Sequence, residues 1–103
     1  MSTARFVYAW QYRIDPDCRK EFLAAYGPGG DWVRLFSSDP AYLGTRLLRD
    51  VDDDCRYLTI DYWKSKTDRD AFRARHAGEF AALDRRCETF TREETLLGDF
   101  EEI

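Results

Sequence analysis

Between Phe6 and Ile14 the even positions read Phe6, Tyr8, Trp10, Tyr12 and Ile14, while the odd ones read Val7, Ala9, Gln11 and Arg13. A period of two in aromatic and β-branched residues is a strand with one strongly apolar face. Such a strand needs neighbours in a sheet and a second layer over that face. Tyr42 to Asp50 reads as a second strand, with Leu43, Thr45 and Leu47 on one side. Arg56 to Trp63 returns after the polar turn Asp52-Asp53-Asp54, which predicts an antiparallel hairpin. Glu93 to Glu101 reads as a last strand, with Gly98 at a bulge or close approach.

Two helices separate these strands. Asp15 is an N-cap and Pro16 a first helical residue, and Cys18, Phe22, Leu23 and Tyr26 form a buried stripe ended by Gly27-Pro28-Gly29-Gly30. Asp31 is expected to cap a short helical piece carrying Trp32, Leu35 and Phe36. Ser65 or Thr67 caps the second long helix, with Asp68 or Asp70 three residues on. Phe72, His76, Phe80, Leu83, Cys87 and Phe90 then recur at steps of three or four along one face.

The predicted order is β-α-β-β-α-β over a single domain, residues 1–103. That is an α+β, ferredoxin-like arrangement, with both helices on one side of a four-stranded antiparallel sheet. The other sheet face is left bare although it carries large apolar residues, so it is expected to meet the same face of a second copy in a homodimer.

Charge narrows the partners. The formal net charge is −4 and the basic residues are scattered, so no phosphate-binding footprint is present and nucleic acid is not an expected partner. Cys18, Cys55 and Cys87 are odd in number and widely spaced, which predicts reduced thiols in a cytoplasmic protein. No stretch is apolar for long enough to span a bilayer, and no secretory leader is visible. The Asp52-Asp53-Asp54 turn lacks the spaced oxygen ligands of a calcium loop, so no metal site is expected there.

Chemistry concentrates near the end of the third strand. Trp63 offers an indole N–H, and His76, the chain's one histidine, offers a proton acceptor that titrates near neutrality. The two are expected to border one small hollow. Tyr8, Trp10 and Tyr12 supply an aromatic wall on the first strand, and Phe72 lies on the helix stripe facing it. Asp61 shares the face of Trp63, where burial would raise its pKa. The plainer expectation for Asp61, and the one favoured, is an ion pair with Arg46 or Arg56.

The run Tyr57-Leu-Thr-Ile-Asp-Tyr-Trp63, the Lys64-Ser65-Lys66 entry into a helix and the aromatic first strand resemble the antibiotic biosynthesis monooxygenase (ABM) family. The Gly44-Thr45 strand before an acidic turn, and Leu83-Asp84 and Cys87-Glu88 before Glu93-Glu94, also fit. The resemblance implies a dimeric α+β barrel and a cofactor-independent oxygenation, in which a deprotonated phenol or anthrone itself reduces dioxygen. It implies that Trp63 orients the substrate oxyanion; with that role, His76, further along its helix than the family's histidine, is expected to remove the proton, and Tyr8, Trp10, Asp61 and Phe72 to contact a hydrophobic aromatic substrate. Two positions depart from the family's pattern. Trp10 stands where heme-degrading members have asparagine, and Thr59 where a quinone-forming member has asparagine. These departures keep two alternatives in view, a non-catalytic dimeric small-molecule-binding module and a heme-binding or heme-degrading protein using His76 as ligand.

Overall fold

Tyr8, Tyr12 and Ile14 on one side of the first strand are buried because helices close over that side. The computed structural model of the chain describes residues 5–103. It runs β1 (Phe6–Ile14), α1 (Arg19–Tyr26), α2 (Asp31–Phe36), β2 (Tyr42–Arg49), β3 (Arg56–Trp63), α3 (Lys66–Arg75), α4 (Ala77–Cys87) and β4 (Thr91–Glu101). The strands form one sheet in the order β2-β3-β1-β4, each neighbour antiparallel. This is the ferredoxin-like α+β arrangement expected from the order of elements. β1 and β3 are central, and every second residue of β3 (Tyr57, Thr59, Asp61, Trp63) is buried.

The helix starts follow local hydrogen-bonding chemistry. Asp15 accepts from the Asp17 amide at 2.9 Å, and Pro16 opens a 3-10 turn that leads into α1. Ser65 is the cap chosen at α3: it accepts from the Asp68 amide at 3.0 Å while donating to the Asp68 carboxylate at 2.8 Å. At α2 the cap is Gly30 and not Asp31, which is the first helical residue. The Asp31 carboxylate is instead occupied by Arg34 and Arg86.

Two larger departures shape the site. The second long helix is divided: His76 has φ −114° and ψ 28°, ending α3 and starting α4. Gly78 just beyond it is a poor helix former, which weakens any preference for a straight continuation. The bend retains the Phe80 N–H to His76 C=O bond at 2.8 Å and brings Phe80 edge-on to Trp32, centroids 5.0 Å apart. Phe90 lies beyond α4, in a 3-10 turn.

The other departure is in β2. Its register shifts between Tyr42 and Gly44, where Gly44 has φ +134°, a conformation that favours glycine. Thr45 and Leu47 therefore share their side with Tyr42, while Leu43 is exposed. β4 has a comparable irregularity opposite Ala9 and Trp10, with Gly98 at φ +140°.

The core between sheet and helices is aromatic, with Trp63, Tyr57, Phe22, Phe72, Ile14 and Cys87 its largest fully buried side chains. Truncating one of the phenylalanines to alanine costs about 3–5 kcal/mol in such a setting.

Candidate active site

Small side chains on the buried side of the sheet leave a hollow beneath the helices. Thr45 on β2 and Thr59 on β3 sit where larger residues would fill the layer, and a cavity of about 260 Å³ lies over them. Tyr8, Trp10 and Tyr12 of β1 line one wall. Tyr26, Trp32, Phe36 and Phe80 from the helices close the opposite one. These rings brace one another, with Tyr12 and Tyr26 centroids 4.9 Å apart and Tyr26 and Trp32 6.0 Å apart. The result is an apolar slot of a kind that takes a planar molecule.

Asp61 is the carboxylate in the sheet floor of this slot, and its residue is only 5 % exposed. Burial pushes its pKa up to about 6, against the opposing pull of the Thr45 and Tyr8 hydroxyls and the charges of Arg73 and Arg69. The favoured pairing with Arg46 or Arg56 does not form. Arg56 binds Gln11 and Asp50 instead. Arg46 sits opposite Ile60, on the other side of the sheet from Asp61. Thr45, directly across the β2–β3 ladder, donates a short hydrogen bond to Asp61. Tyr8 is its register partner on β1.

Two arginines one turn apart on α3 have different fates. Arg69 is buried over the rings of Phe6 and Tyr8 and is neutralised by Asp70 and Asp99, at 2.8 and 3.2 Å. Arg73 lines the cavity, with its guanidinium carbon 5.1 Å from the Tyr8 ring centre and 5.4 Å from that of Phe80. Among the described residues no carboxylate lies within ion-pairing distance of Arg73, and its Nε is buried without an acceptor. Arg73 is half-buried and acts on Asp61 across the slot, and its unpaired Nε leaves a donor for an anion bound there. Asp84 and Glu94 also line the cavity, and partial desolvation raises the Glu94 carboxyl, helped by Asp84 and Glu88.

Trp63 and His76 do not share a hollow. Trp63 is 0 % exposed and packs among Phe36, Tyr42 and Phe72, with centroids 5.7, 5.4 and 5.3 Å away. Phe72 also stacks on His76 at 4.5 Å, so a solid phenyl ring touches both. His76 Nδ1 is hydrogen-bonded to Glu79 at 2.9 Å. None of Trp63, Phe72 and His76 lines the cavity, whereas Tyr8, Trp10 and Asp61 do. The histidine ligand that a heme would need is thus not presented to the slot.

The acidic turn brings Asp53, Asp54 and Cys55 ligand atoms within 4.8 Å of one another at the surface. Asp53 is already paired with Arg13 at 2.8 Å, and no structural feature directs this group toward the slot.

Periodicity alone does not single out Arg73. Its only signal is that Arg73, Phe80 and Asp84 lie seven and four residues apart, one face of a helix, which looks like a solvated face until the bend at His76 is known.

The match to a protein-family model described as "Antibiotic biosynthesis monooxygenase" covers residues 6–83, most of the chain and all three strands that floor the slot from β1 to β3. The chain belongs to the antibiotic biosynthesis monooxygenase family. No curated protein sequence matches it significantly. Solved structures agree on the architecture. A proposed ABM protein from Nitrosomonas europaea superposes with a TM-score of 0.79 at 12 % identity, covering 100 % of this chain and 94 % of its own. One from Bordetella bronchiseptica gives 0.78 at 15 %, covering 97 % and 98 %. SnoaB of Streptomyces nogalater, a cofactor-independent oxygenase determined as a mutant, gives 0.78 at 17 %, covering 93 % and 90 %. At these identities the likeness shows a shared fold.

Proposed function

We propose that this ABM protein is a cofactor-independent monooxygenase that oxidises a planar, hydrophobic phenol or quinol-type molecule with dioxygen. The observation that carries the reading is a buried carboxyl with a pKa near 6, in the floor of an aromatic slot whose wall also carries Arg73, in no salt bridge among the described residues. Asp61 is the base. A carboxylate tuned toward neutrality can take a proton from a phenol or from the acidic carbon beside it. Arg73 stabilises the resulting oxyanion, a role that strengthens as negative charge develops.

The electron count closes without a cofactor. A carbanion or phenolate formed in the slot reduces dioxygen directly. When a ring CH2 becomes a carbonyl, the substrate gives up four electrons and two hydrogens. One oxygen atom stays as the carbonyl, and the other leaves as water with the two hydrogens. The protein's part is to exclude bulk water, hold the ring and manage the proton. A cavity of about 260 Å³ lies just below the ~300–1,000 Å³ common for drug-sized ligands, which suits a small fused aromatic and not a tetrapyrrole.

A homodimer and a cytoplasmic setting belong to the same proposal. The sheet side away from the helices carries Leu48, Leu58, Ile60, Tyr62 and Phe100, with Leu48 and Phe100 well exposed. Free Cys18, Cys55 and Cys87 fit a reducing compartment, and no helix among the described residues is long and apolar enough to cross a membrane.

The deciding experiment is oxygen uptake with anthrones and hydroquinones, with product formation compared aerobically and anaerobically. Protein-dependent uptake that Asp61→Asn abolishes supports the reading. Tight binding of the same compounds without uptake would instead establish the non-catalytic binding module.

A further inference from the structure

Asp61 faces a difficulty that the slot itself creates. A planar ligand that fills the cavity displaces the water that would carry away the proton the carboxylate has taken. We propose that Thr45 and Tyr42 form a proton relay linking Asp61 to solvent at the edge of the sheet, so that the base exchanges its proton while the cavity is full. The proposal rests on the reading of Asp61 as the base and goes beyond it.

Three oxygens stand in a row. Thr45 Oγ1 donates to Asp61 Oδ1, and the Tyr42 hydroxyl is 2.6 Å from Thr45 Oγ1. The single Thr45 proton is committed to the carboxylate, so Tyr42 is the donor in the second bond. The row leads outward. Asp61 is buried on a central strand, while Tyr42 is half-buried on the edge strand β2 and lies outside the cavity lining. The shift in register at Gly44 is what builds it, because regular alternation would place Tyr42 and Thr45 on opposite sides of the strand.

Reversing both hydrogen bonds carries one proton out. Protonated Asp61 donates to Thr45 Oγ1, the Thr45 proton passes to the Tyr42 oxygen, and the Tyr42 proton leaves to water. Each hydroxyl ends neutral and Asp61 ends ionised. The same steps run backwards bring a solvent proton in.

The test is hydrogen exchange without oxygen. Anthrone and dithranol are incubated anaerobically with the protein in D2O, and deuterium at the acidic carbon is followed by mass spectrometry above the uncatalysed rate. Wild type and Thr45→Ser are expected to exchange. Tyr42→Phe, which keeps the ring that packs 5.5 Å from Phe36 and 5.4 Å from Trp63, is expected to lower exchange relative to aerobic oxygen uptake about tenfold. Thr45→Val should do the same. Tyr42→Phe exchanging at the wild-type ratio overturns the relay alone, as does wild-type oxygen uptake with no exchange. Neither exchange nor uptake with any wild-type sample overturns the parent reading and the relay with it.

Discussion

Thr45 donates to the Asp61 carboxylate from directly across the β2–β3 ladder, and that bond lies in the floor of a slot walled mostly by aromatic rings. Tyr8 faces Asp61 from the opposite neighbour, so a single carboxylate is held between two hydroxyl-bearing residues on three adjacent strands. Burial opposes its charge and the hydroxyls favour it, with burial the larger effect.

Turnover should follow the ionisation of Asp61. The carboxylate must be deprotonated to act, and its pKa is raised to about 6, so kcat/KM is expected to rise with pH along a limb centred near 6. Asp61→Asn should lower turnover by roughly 10²–10⁴-fold and remove the limb. A pH–rate profile from pH 4.5 to 8.5 checks both.

The same shift bears on stability with the opposite sense. In the unfolded chain Asp61 ionises near ~3.9, and in the folded protein near 6, so the folded state binds its proton more tightly. This contribution is fully present below about pH 4 and is lost as pH rises through 6. The stability gain of Asp61→Asn over wild type should therefore be greater at pH 8 than at pH 4.5, by roughly 2 kcal/mol. Denaturant melts of the two proteins at each pH measure it.

Arg73→Met should act in two ways. Loss of the cation removes the oxyanion's partner, which is expected to reduce kcat by about 10²–10³-fold. Its charge also helps keep Asp61 ionised, so the acid limb of residual activity should move to higher pH. A limb that stays in place would show that Arg73 does not act on this carboxylate.

His76→Ala provides the contrast. The imidazole stacks on Phe72 and is bonded to Glu79 but does not line the slot. Turnover and ligand affinity are expected to stay within about twofold of wild type, while stability falls by about 1 kcal/mol from the lost aromatic contact. Parallel assays of oxygen uptake and thermal unfolding separate the two effects.

Ile60→Lys should disrupt the proposed dimer. Ile60 stands at the centre of the uncovered sheet side, opposite Ala9 and Arg46. A lysine there would bring two like charges together across a two-fold axis. Light scattering should give a dimer for wild type and a monomer for the variant.

Local chemistry was legible in the chain from the start. The alternation from Phe6 to Ile14 and from Tyr57 to Trp63, the Asp15 and Ser65 caps and the element order all depend on residues near one another. They led to the architecture and to the side of the sheet on which Asp61 lies. Tertiary structure decided which groups meet. Trp63 and His76 both belong to apolar patterns, but a pattern states that a side chain is inward and not what touches it, and Phe72 turned out to fill the space. Thr45 reached Asp61 through the pairing of β2 with β3, and Tyr42 reached Thr45 only through the register shift at Gly44. Arg73 and Phe80 come together beside Tyr8 across the bend at His76, which no single segment announces. A cavity is the space that packing leaves empty, and it is set by the distances between elements that no single segment encodes.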